Sequence, residues 1–378
     1  MKKILGLMSG TSLDGLDIAY CHISDDDVIL KAFGSYDMPS MLKEKILQAS
    51  HPDTSNVRLI TSLNMELGQW FSDCVTLFKQ EHAIDHIDAI SSHGQTIYHL
   101  PRPEEGEFPS TLQIGDPSIM AYTHHCPVVF NYRMMDMAAG GDGAPLVPYT
   151  EYRLYGKEGK NILLQNIGGI GNVTILDASM RLEDVKAFDT GPGNMMINAA
   201  TMHYFNQAYD KDAFYARQGQ LIPELFKKLC EHPYLQKKPP KSTGREEFGE
   251  DYVDNILKAY PQQGNDVLYT LTYFTAHTIA DAYKRFIFPD YDVDKIILAG
   301  GGAYNPLLVE LIKDFLKGYE VYVQEDLGFS SDAKEAVAFA LLAYETLMGK
   351  ANNTPSATGA KEAVILGQIC PNPHFKEV

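Results

Sequence analysis

The stretch Gly6-Leu7-Met8-Ser9-Gly10-Thr11-Ser12-Leu13-Asp14-Gly15-Leu16-Asp17 follows a short apolar run at the N-terminus. The pattern predicts a buried strand over residues 4–7, a tight polar turn over residues 9–15 and a returning strand over residues 18–23. Glycines allow the backbone of such a turn to approach an anion, and Thr11 and Ser12 would add hydroxyl donors to its N–H groups. The stretch therefore fits either an ordinary β-turn or a phosphate-binding hairpin. We call residues 10–17 the first glycine hairpin.

The two carboxylates of this hairpin, Asp14 and Asp17, narrow the choice of ligand. A bare phosphate would repel them by like charge. They fit better beside a phosphate-bound cation, or as residues that shape the turn.

Length and charge set broad limits on the protein. A chain of 378 residues favours two domains with a cleft between them, and a hydrophobic content of 45% is sufficient for sizeable cores. The net charge of −17 argues against nucleic acid or an anionic membrane as partner. An anionic substrate must then be bound by local donors.

Compartment signals point to the cytoplasm. The first apolar stretch breaks at Ser9, too early for a signal peptide, and no run reaches the length of a transmembrane helix. The five cysteines are widely spaced and form no CxxC pair, so they are expected to be thiols in a reducing environment.

Periodicity predicts the first elements after the hairpin. Apolar residues recur at helical spacing over residues 57–78, which indicates an amphipathic helix facing the core. Residues 87–96 indicate a strand that ends in a polar loop, Ser91-Ser92-His93-Gly94-Gln95-Thr96.

Residues 128–148 combine Arg133, Asp136 and a glycine cluster before a Pro-bounded turn. Two interpretations remain open: a flexible linker between domains, or a loop that presents Arg133 and Asp136 to a polar ligand in a cleft. Either interpretation places a domain boundary near residues 145–160.

The second half of the chain repeats features of the first. Residues 161–176 again predict strand, glycine turn and strand, and we call residues 168–172 the second glycine hairpin. Residues 293–303 repeat the order seen at residues 87–95: an acidic residue, an apolar strand and a glycine loop. This order predicts a duplicated α/β domain with a nucleotide held between the copies.

Other phosphate and catalytic motifs are excluded by their spacing. The chain has no GxxxxGK[ST] motif, and Gly169-Ile170-Gly171 lacks the third glycine of a dinucleotide fingerprint. The histidines show no zinc-ligand spacing, and spacing supports no Ser-His-Asp triad.

Asp189 is the candidate base, because an apolar strand is expected to end there, before the rigid turn Thr190-Gly191-Pro192-Gly193 and a helix from about Asn194. Asp189 is either a turn or cap residue or a carboxylate aimed at a nucleophile. A phosphotransferase needs such a group, since the attacking oxygen must lose its proton.

Five motifs in this order resemble the anhydro-N-acetylmuramic acid kinase family. They lie at residues 10–15, 92–96, 138–148, 166–172 and 188–194, and the likeness extends from residue 6 to about residue 339. The resemblance implies an α/β fold of duplicated actin-like (ribonuclease H-like) ATPase domains with an interdomain nucleotide cleft. The expected domains are residues 1–150, joined by about 335–378, and residues 151–334. Asp142 stands where many members are expected to have glutamine, which bears on sugar preference.

The resemblance also implies roles for residues, with ATP and Mg²⁺ as cofactors and the metal ligands left open. Asp189 would be the general base. Sugar contacts would come, in falling order of expectation, from Arg133, Asp136, His93 and Glu335. ATP would be bound by the two hairpins and a later glycine loop: Gly10, Thr11, Ser12, Leu13, Asp14, Gly15, Leu16, Asp17, Gly168, Gly169, Gly171, Asn172, Gly300, Gly301, Gly302 and Asn305.

The implied reaction opens 1,6-anhydro-N-acetylmuramic acid with water and phosphorylates O6, in peptidoglycan recycling. A cytoplasmic homodimer that acts on a small anhydrosugar, without nucleic acid or membrane, is the matching expectation. Two alternatives stay open: a kinase of another anhydrosugar such as levoglucosan, and a non-catalytic ATP-binding protein of the actin fold.

Overall fold

The computed structural model describes residues 1–10, 13–156, 159–327 and 332–374, without the side chains at positions 245, 246, 250, 251 and 327. The chain divides into two compact units. Unit 1 comprises Met1–Thr150 with Ala333–Val378, and unit 2 comprises Glu151–Asp332. Each unit has its own hydrophobic core.

The elements follow in chain order. The strands are β1 (Lys2–Ser9), β2 (Gly15–Ile23), β3 (Val28–Asp37), β4 (Ala89–Leu100), β5 (Ser110–Ile114), β6 (Val128–Phe130), β7 (Ile162–Ile167), β8 (Ile170–Leu176), β9 (Lys186–Pro192), β10 (Lys295–Ala299), β11 (Val321–Val323) and β12 (Gln368–Cys370). The α-helices are α1 (Ser40–Ser50), α2 (Val57–Glu81), α3 (Pro117–His124), α4 (Arg133–Ala138), α5 (Val147–Tyr155), α6 (Met195–Phe205), α7 (Pro223–Cys230), α8 (Arg245–Phe248), α9 (Glu250–Ala259), α10 (Gly264–Phe286), α11 (Pro306–Phe315), α12 (Lys334–Leu347) and α13 (Pro355–Thr358). Short 3₁₀ helices lie at Leu182–Asp184, Lys211–Ala213, Ala216–Gln218, Pro233–Gln236, Gly301–Tyr304 and Gln324–Leu327.

The sheet of unit 1 has the strand order β12-β6-β4-β1-β2-β3, with β5 paired to β4. Strands β1, β2 and β3 are antiparallel neighbours. Strand β4 runs parallel to β1, and β6 runs parallel to β4. The predicted strand and returning strand at the N-terminus are therefore confirmed, whereas residues 11 and 12 of the turn lie outside the described residues.

The sheet of unit 2 repeats this topology in the order β11-β10-β7-β8-β9. Strands β7, β8 and β9 are antiparallel neighbours, whereas β10 is parallel to both β7 and β11. Three antiparallel strands followed by two parallel strands are the core of a ribonuclease H-like domain. The predicted repeat, and with it the duplicated actin-like α/β fold, is confirmed by this topology.

Helix α12 packs directly against β1 and explains the glycine at position 6. A Cβ atom built on Gly6 would lie 1.9 Å from the carbonyl oxygen of Ala336 and 2.7 Å from the nitrogen of Ala340. No side chain larger than hydrogen fits such a contact. The alanine-rich face of α12 and Gly6 together allow the helix and the strand to approach closely.

The amphipathic helix predicted over residues 57–78 is α2, which continues to Glu81. The side chain of Asn56 accepts a hydrogen bond from the backbone N–H of Leu59 and caps the helix. Its apolar stripe, which includes Leu63, Leu67 and Phe71, is buried in the core of unit 1.

The prediction that the strand over residues 87–96 ends in a polar loop is wrong. Strand β4 continues through these residues to Leu100. Gly94 adopts a φ of 75°, a left-handed conformation that glycine adopts without strain. Around this bend the strand passes from parallel pairing with β1 to antiparallel pairing with β5.

The flexible-linker interpretation of residues 128–148 is also wrong. This segment contains β6, α4 and the start of α5, and the side chains of Tyr132 and Asp136 are buried. Burial of these side chains and the hydrogen bonds of the Asp136 carboxylate hold the segment in unit 1.

All five cysteines lie within the described part of the chain, and none forms a disulfide. Cys21, Cys74 and Cys126 are buried, and burial raises the pKa of each of these thiols to about 12. Within the described ranges, no helix is both long enough and apolar enough to cross a membrane.

Candidate active site

The first glycine hairpin is tied to β4 by Gln95, a residue that the sequence motif contained but to which no role was assigned. The Ser9 hydroxyl donates to Gln95 Oε1 at 2.6 Å, and Gln95 Nε2 donates to the carbonyl oxygen of Gly10 at 3.3 Å. Gln95 is fully buried. A glutamine in a strand that pairs with the hairpin is a signal that could have suggested this tether.

Within this hairpin, the backbone N–H of Leu13 donates to the carbonyl oxygen of Gly10 at 3.2 Å and closes the turn. Leu13 and Leu16 are buried in the core, so they can offer a ligand only their backbone groups. Asp14 is exposed and Asp17 is half-buried. The predicted ligand residues Thr11 and Ser12 lie outside the described residues.

His93 and Arg133 form a hydrogen-bonded pair in unit 1. Arg133 donates to His93 Nε2 from Nε at 3.1 Å and from Nη2 at 2.9 Å. Since Nε2 accepts, the ring proton is on Nδ1, which donates to the carbonyl oxygen of Gly94 at 2.8 Å. Burial, with the Arg133 charge, lowers the pKa of His93 to about 3. His93 is therefore a neutral acceptor that orients Arg133.

The depressed pKa of His93 predicts an acid-sensitive contribution to stability. The unfolded chain binds a proton at about pH 6.5 whereas the folded chain does not, so stability falls as pH drops from about 6.5 towards 3. The loss attributable to this group is about 1.4 kcal/mol per pH unit within that window. Urea unfolding of the wild type and of His93→Gln between pH 4.5 and 6.5 should show a shallower slope for the variant. Equal slopes would contradict the assignment.

Arg133 is also held by the segment that follows α4, because its Nη1 donates to the carbonyl oxygen of Gly143 at 2.8 Å. The charges of Arg133 and Glu335 act on each other. Desolvation and the charge of Asp17 raise the pKa of Glu335, while Lys334 and Arg133 lower it. The predicted residues Arg133, His93, Glu335 and Asp17 are thus brought together within unit 1.

Asp136 differs from the expectation of a sugar contact, because its carboxylate has no exposed surface. Oδ2 accepts from the Gly143 N–H at 2.9 Å. Oδ1 accepts from Asn353 Nδ2 at 2.9 Å and from the Thr358 hydroxyl at 2.8 Å. Oδ1 therefore joins the Arg133 segment to the C-terminal segment, and Oδ2 bonds within the Arg133 segment itself.

In unit 2 the second glycine hairpin begins with a two-residue turn, Gly168 and Gly169, between β7 and β8. The carbonyl oxygen of Gly168 accepts from the N–H of Asn194 at 2.7 Å, and that of Gly169 accepts from the N–H of Gly193 at 2.9 Å. A Cβ atom on Gly193 would lie 2.2 Å from the Gly168 oxygen, so this contact requires glycine. The beginning of α6 therefore supports the turn. Gly171 and Asn172 lie in β8 directly after it.

The later glycine loop packs against the end of β7. Gly300 has a φ of 81°, and a Cβ on it would lie 2.6 Å from Asn166 Oδ1. A Cβ on Gly302 would lie 2.3 Å from Ile167 Cγ2, while Gly301 has more room and is nearest to Asn194. The side chain of Asn305 accepts from the Leu308 N–H at 3.1 Å and caps α11. These glycines and the second glycine hairpin meet around Asn194.

Asp189 lies within β9, which continues to Pro192, so the prediction that the strand ends at Asp189 is wrong. The pairing between β8 and β9 shifts there: Asn172 is opposite Asp189 and Gly171 is opposite Gly191. At this irregularity the Thr190 hydroxyl donates to the Gly171 carbonyl oxygen at 3.1 Å. The expected helix begins within one residue of its predicted start, with Asn194 at the N-cap of α6.

A segment that sequence analysis did not single out fixes Asp189 from the side. The Thr243 N–H donates to Asp189 Oδ2 at 2.8 Å, and the Asp189 N–H donates to the Lys241 carbonyl oxygen at 3.1 Å. The Tyr234 hydroxyl donates to the Asp189 carbonyl oxygen at 2.8 Å. A polar run bounded by proline and glycine, residues 239–244, was the available signal.

The arrangement in each unit defines what it can do chemically. Unit 1 combines a glycine hairpin with an oriented guanidinium and two nearby carboxylates, and unit 2 combines glycine turns with a fixed carboxylate. Among the described residues, no group of three or more His, Cys, Asp or Glu side chains is arranged to hold a metal ion. A cation bound by one or two carboxylates together with substrate phosphates needs no such group.

A duplicated ribonuclease H-like fold with a glycine hairpin after the first strand of each copy defines the class of actin-like ATPases and sugar kinases. The model of the family Anhydro-N-acetylmuramic acid kinase matches residues 2–372. The chain therefore belongs to the anhydro-N-acetylmuramic acid kinase family.

Individual relatives agree with this membership. The chain is 48% identical over 375 residues to an anhydro-N-acetylmuramic acid kinase of Bacillus cereus strain Q1, with 97% of this chain and 98% of the relative covered. It is 47% identical, with the same coverage, to that of Bacillus anthracis strain CDC 684 / NRRL 3495.

A solved structure, the activator of the 2-hydroxyisocaproyl-CoA dehydratase from Clostridium difficile with bound ADPNP, aligns over 91% of this chain and 94% of its own. Its TM-score is 0.45 at 11% identity.

Proposed function

We propose that this protein is an ATP-dependent kinase that hydrolytically opens 1,6-anhydro-N-acetylmuramic acid and phosphorylates its O6. The products are N-acetylmuramic acid 6-phosphate and ADP, and the step belongs to peptidoglycan recycling. Family membership supports the reaction. The observation that carries the mechanism is the Asp189 carboxylate, which a main-chain N–H holds in one orientation.

In this mechanism Asp189 is the general base. It accepts a proton from water as the water oxygen forms a bond to C1 of the sugar. The bond between C1 and O6 breaks, and O6 takes the γ-phosphoryl group of ATP while ADP leaves. A carboxylate with a fixed orientation suits this role, because proton transfer depends on the geometry between base and nucleophile.

ATP binding is assigned to the glycine turns of both units. Backbone N–H groups of the two glycine hairpins would bind phosphate oxygens, with Thr11 and Ser12 as further donors. The loop of Gly300, Gly301 and Gly302 would contact adenosine. Mg²⁺ bound to ATP would neutralise phosphate charge. Asp17, a half-buried carboxylate at the first hairpin, would be its ligand.

Sugar binding is assigned to the cluster in unit 1. Arg133 is the strongest candidate, because a guanidinium can donate to ring substituents or to the lactyl carboxylate. Glu335 would accept from sugar hydroxyls. His93 and Asp136 would not contact the sugar directly. His93 orients Arg133, and Asp136 holds the segment that contains Arg133.

The proposal includes the cellular location and the oligomeric state of the protein. We assign it to the cytoplasm as a homodimer. Light scattering coupled to size-exclusion chromatography should give twice the mass of the 378-residue chain. A monomer mass at micromolar concentration would contradict the dimer and leave the kinase assignment in place.

The reaction itself is tested by ADP release from Mg-ATP with and without 1,6-anhydro-N-acetylmuramic acid in heavy-oxygen water. We expect sugar-dependent ADP release and heavy oxygen at C1 of the product, because water and not O6 supplies that oxygen. Turnover with levoglucosan in place of this sugar would indicate a different anhydrosugar kinase. ATP binding without release of ADP with either sugar would indicate a non-catalytic protein.

A further inference from the structure

The segment that runs from Lys241 to Thr243 contacts Asp189 on both its main chain and its side chain. The Lys241 carbonyl oxygen accepts from the Asp189 N–H, and the Thr243 N–H donates to Asp189 Oδ2. A shift of this segment would therefore move or rotate the carboxylate. What holds the segment in place then decides how well Asp189 is oriented.

The side chain of Lys241 lies close to two aromatic rings. Its Nζ lies 4.7 Å from the ring centroid of Tyr234 and 5.1 Å from that of Phe286. An ammonium between two aromatic faces is attracted by both, and more strongly where water is excluded. Tyr234 is fully buried, and its hydroxyl donates to the Asp189 carbonyl oxygen. One ring thus links the lysine side chain to the Asp189 main chain.

We propose that Lys241 is a positioning residue for Asp189: its ammonium, held between Tyr234 and Phe286, fixes the segment that orients the carboxylate. The inference rests on the proposed role of Asp189 as general base. It assigns to Lys241 no contact with substrate.

The charges around Lys241 set the direction of its electrostatic effect. Asp189 faces it from β9, Asp281 and Arg285 from α10, and Lys237 from the end of a 3₁₀ helix. Burial and Arg285 lower the pKa of Lys241 to about 8, against the opposing charges of Asp281 and Asp189. By the same interaction the Lys241 cation favours the ionised form of Asp189. Loss of the cation should therefore move the acid limb of the activity profile to higher pH.

The test compares Lys241→Met, Lys241→Arg and the matched control Lys237→Met. Lys237 also faces the Tyr234 ring, at 5.4 Å, but its ammonium pairs with Glu247. We expect Lys241→Met to lower kcat by about tenfold to a hundredfold, with the KM for ATP changed less than about threefold. The acid limb of its pH profile should move to higher pH. Lys241→Arg should restore most of kcat and the wild-type limb, and Lys237→Met should match the wild type.

Three results would overturn the proposal. The first is wild-type kcat and an unmoved limb in Lys241→Met. The second is a fall in kcat that leaves the limb in place and that arginine does not restore, which would indicate a structural role only. The third is an effect of Lys237→Met equal to that of Lys241→Met, which would indicate a general loss of positive charge.

Two further variants keep the test decisive. If Lys241→Met does not fold, Tyr234→Phe removes the hydroxyl bond to Asp189 but keeps the ring. It should lower kcat by about tenfold, and an unchanged kcat would contradict the positioning scheme. Asp189→Asn in the same assay separates the two proposals. If it remains active, the base assignment fails; if it is inactive while Lys241→Met equals the wild type, only the role of Lys241 fails.

Discussion

Asp189→Asn is expected to lower kcat by about 10²–10⁴-fold, because the amide cannot accept the proton of the attacking water. The substitution keeps the size of the side chain and an oxygen that can accept from the Thr243 N–H. The fold and the KM for ATP should therefore change little. Steady-state ADP release at saturating sugar and Mg-ATP measures the effect.

The matched control for this variant is Asp184→Asn. Asp184 lies shortly before β9, but its carboxylate pairs with Arg181 and Ser179 at the surface of unit 2. Its loss should leave kcat within about twofold of the wild type, since surface ion pairs of this kind contribute little. Near-normal turnover of Asp189→Asn would remove the base assignment, whatever the control does.

Asp136→Ala is expected to destabilise unit 1 by about 3 kcal/mol. The carboxylate accepts from the Gly143 N–H, the Asn353 amide and the Thr358 hydroxyl, and all three contacts are buried. Leaving buried donors without an acceptor costs about 1–3 kcal/mol for each donor that finds no other partner. Urea unfolding followed by circular dichroism measures the change in the free energy of unfolding.

Asp142→Ala is the matched control on the same segment. The Asp142 carboxylate is 40% exposed and pairs with an exposed Arg102 at 3.0 Å. Such a pair contributes about 0–1 kcal/mol, so the control should remain close to the wild type in stability. If Asp136→Ala were as stable as Asp142→Ala but lost sugar binding, Asp136 would be a ligand contact, and the structural role inferred above would be wrong.

Several features of the fold could be predicted from sequence because they depend on neighbouring residues. The stripe of α2 recurs with the helical period, and burial of one face is sufficient to define such a helix. The two glycine hairpins are signalled by glycines between apolar strands, and the order of these elements in both halves indicated the duplication.

The two wrong strand ends have a common physical cause. β4 was expected to stop at a polar glycine run, but pairing with β1 and β5 extends it. β9 likewise continues past Asp189 because β8 pairs with it as far as Pro192. Local composition favoured a loop at both places, and backbone hydrogen bonds to partner strands outweighed that preference.

The sequence by itself determined the α/β class, the repeat, the glycine turns and the family motifs, since these depend on local periodicity and on residues a few positions apart. Only the tertiary structure decided the roles of the polar side chains. Gln95 reaches Ser9 across 86 positions, Asp136 reaches Asn353 across 217, and Thr243 reaches Asp189 across 54. Such partners are fixed by the packing of strands and helices distant in sequence, because buried polar groups must find hydrogen bonds wherever the fold places them.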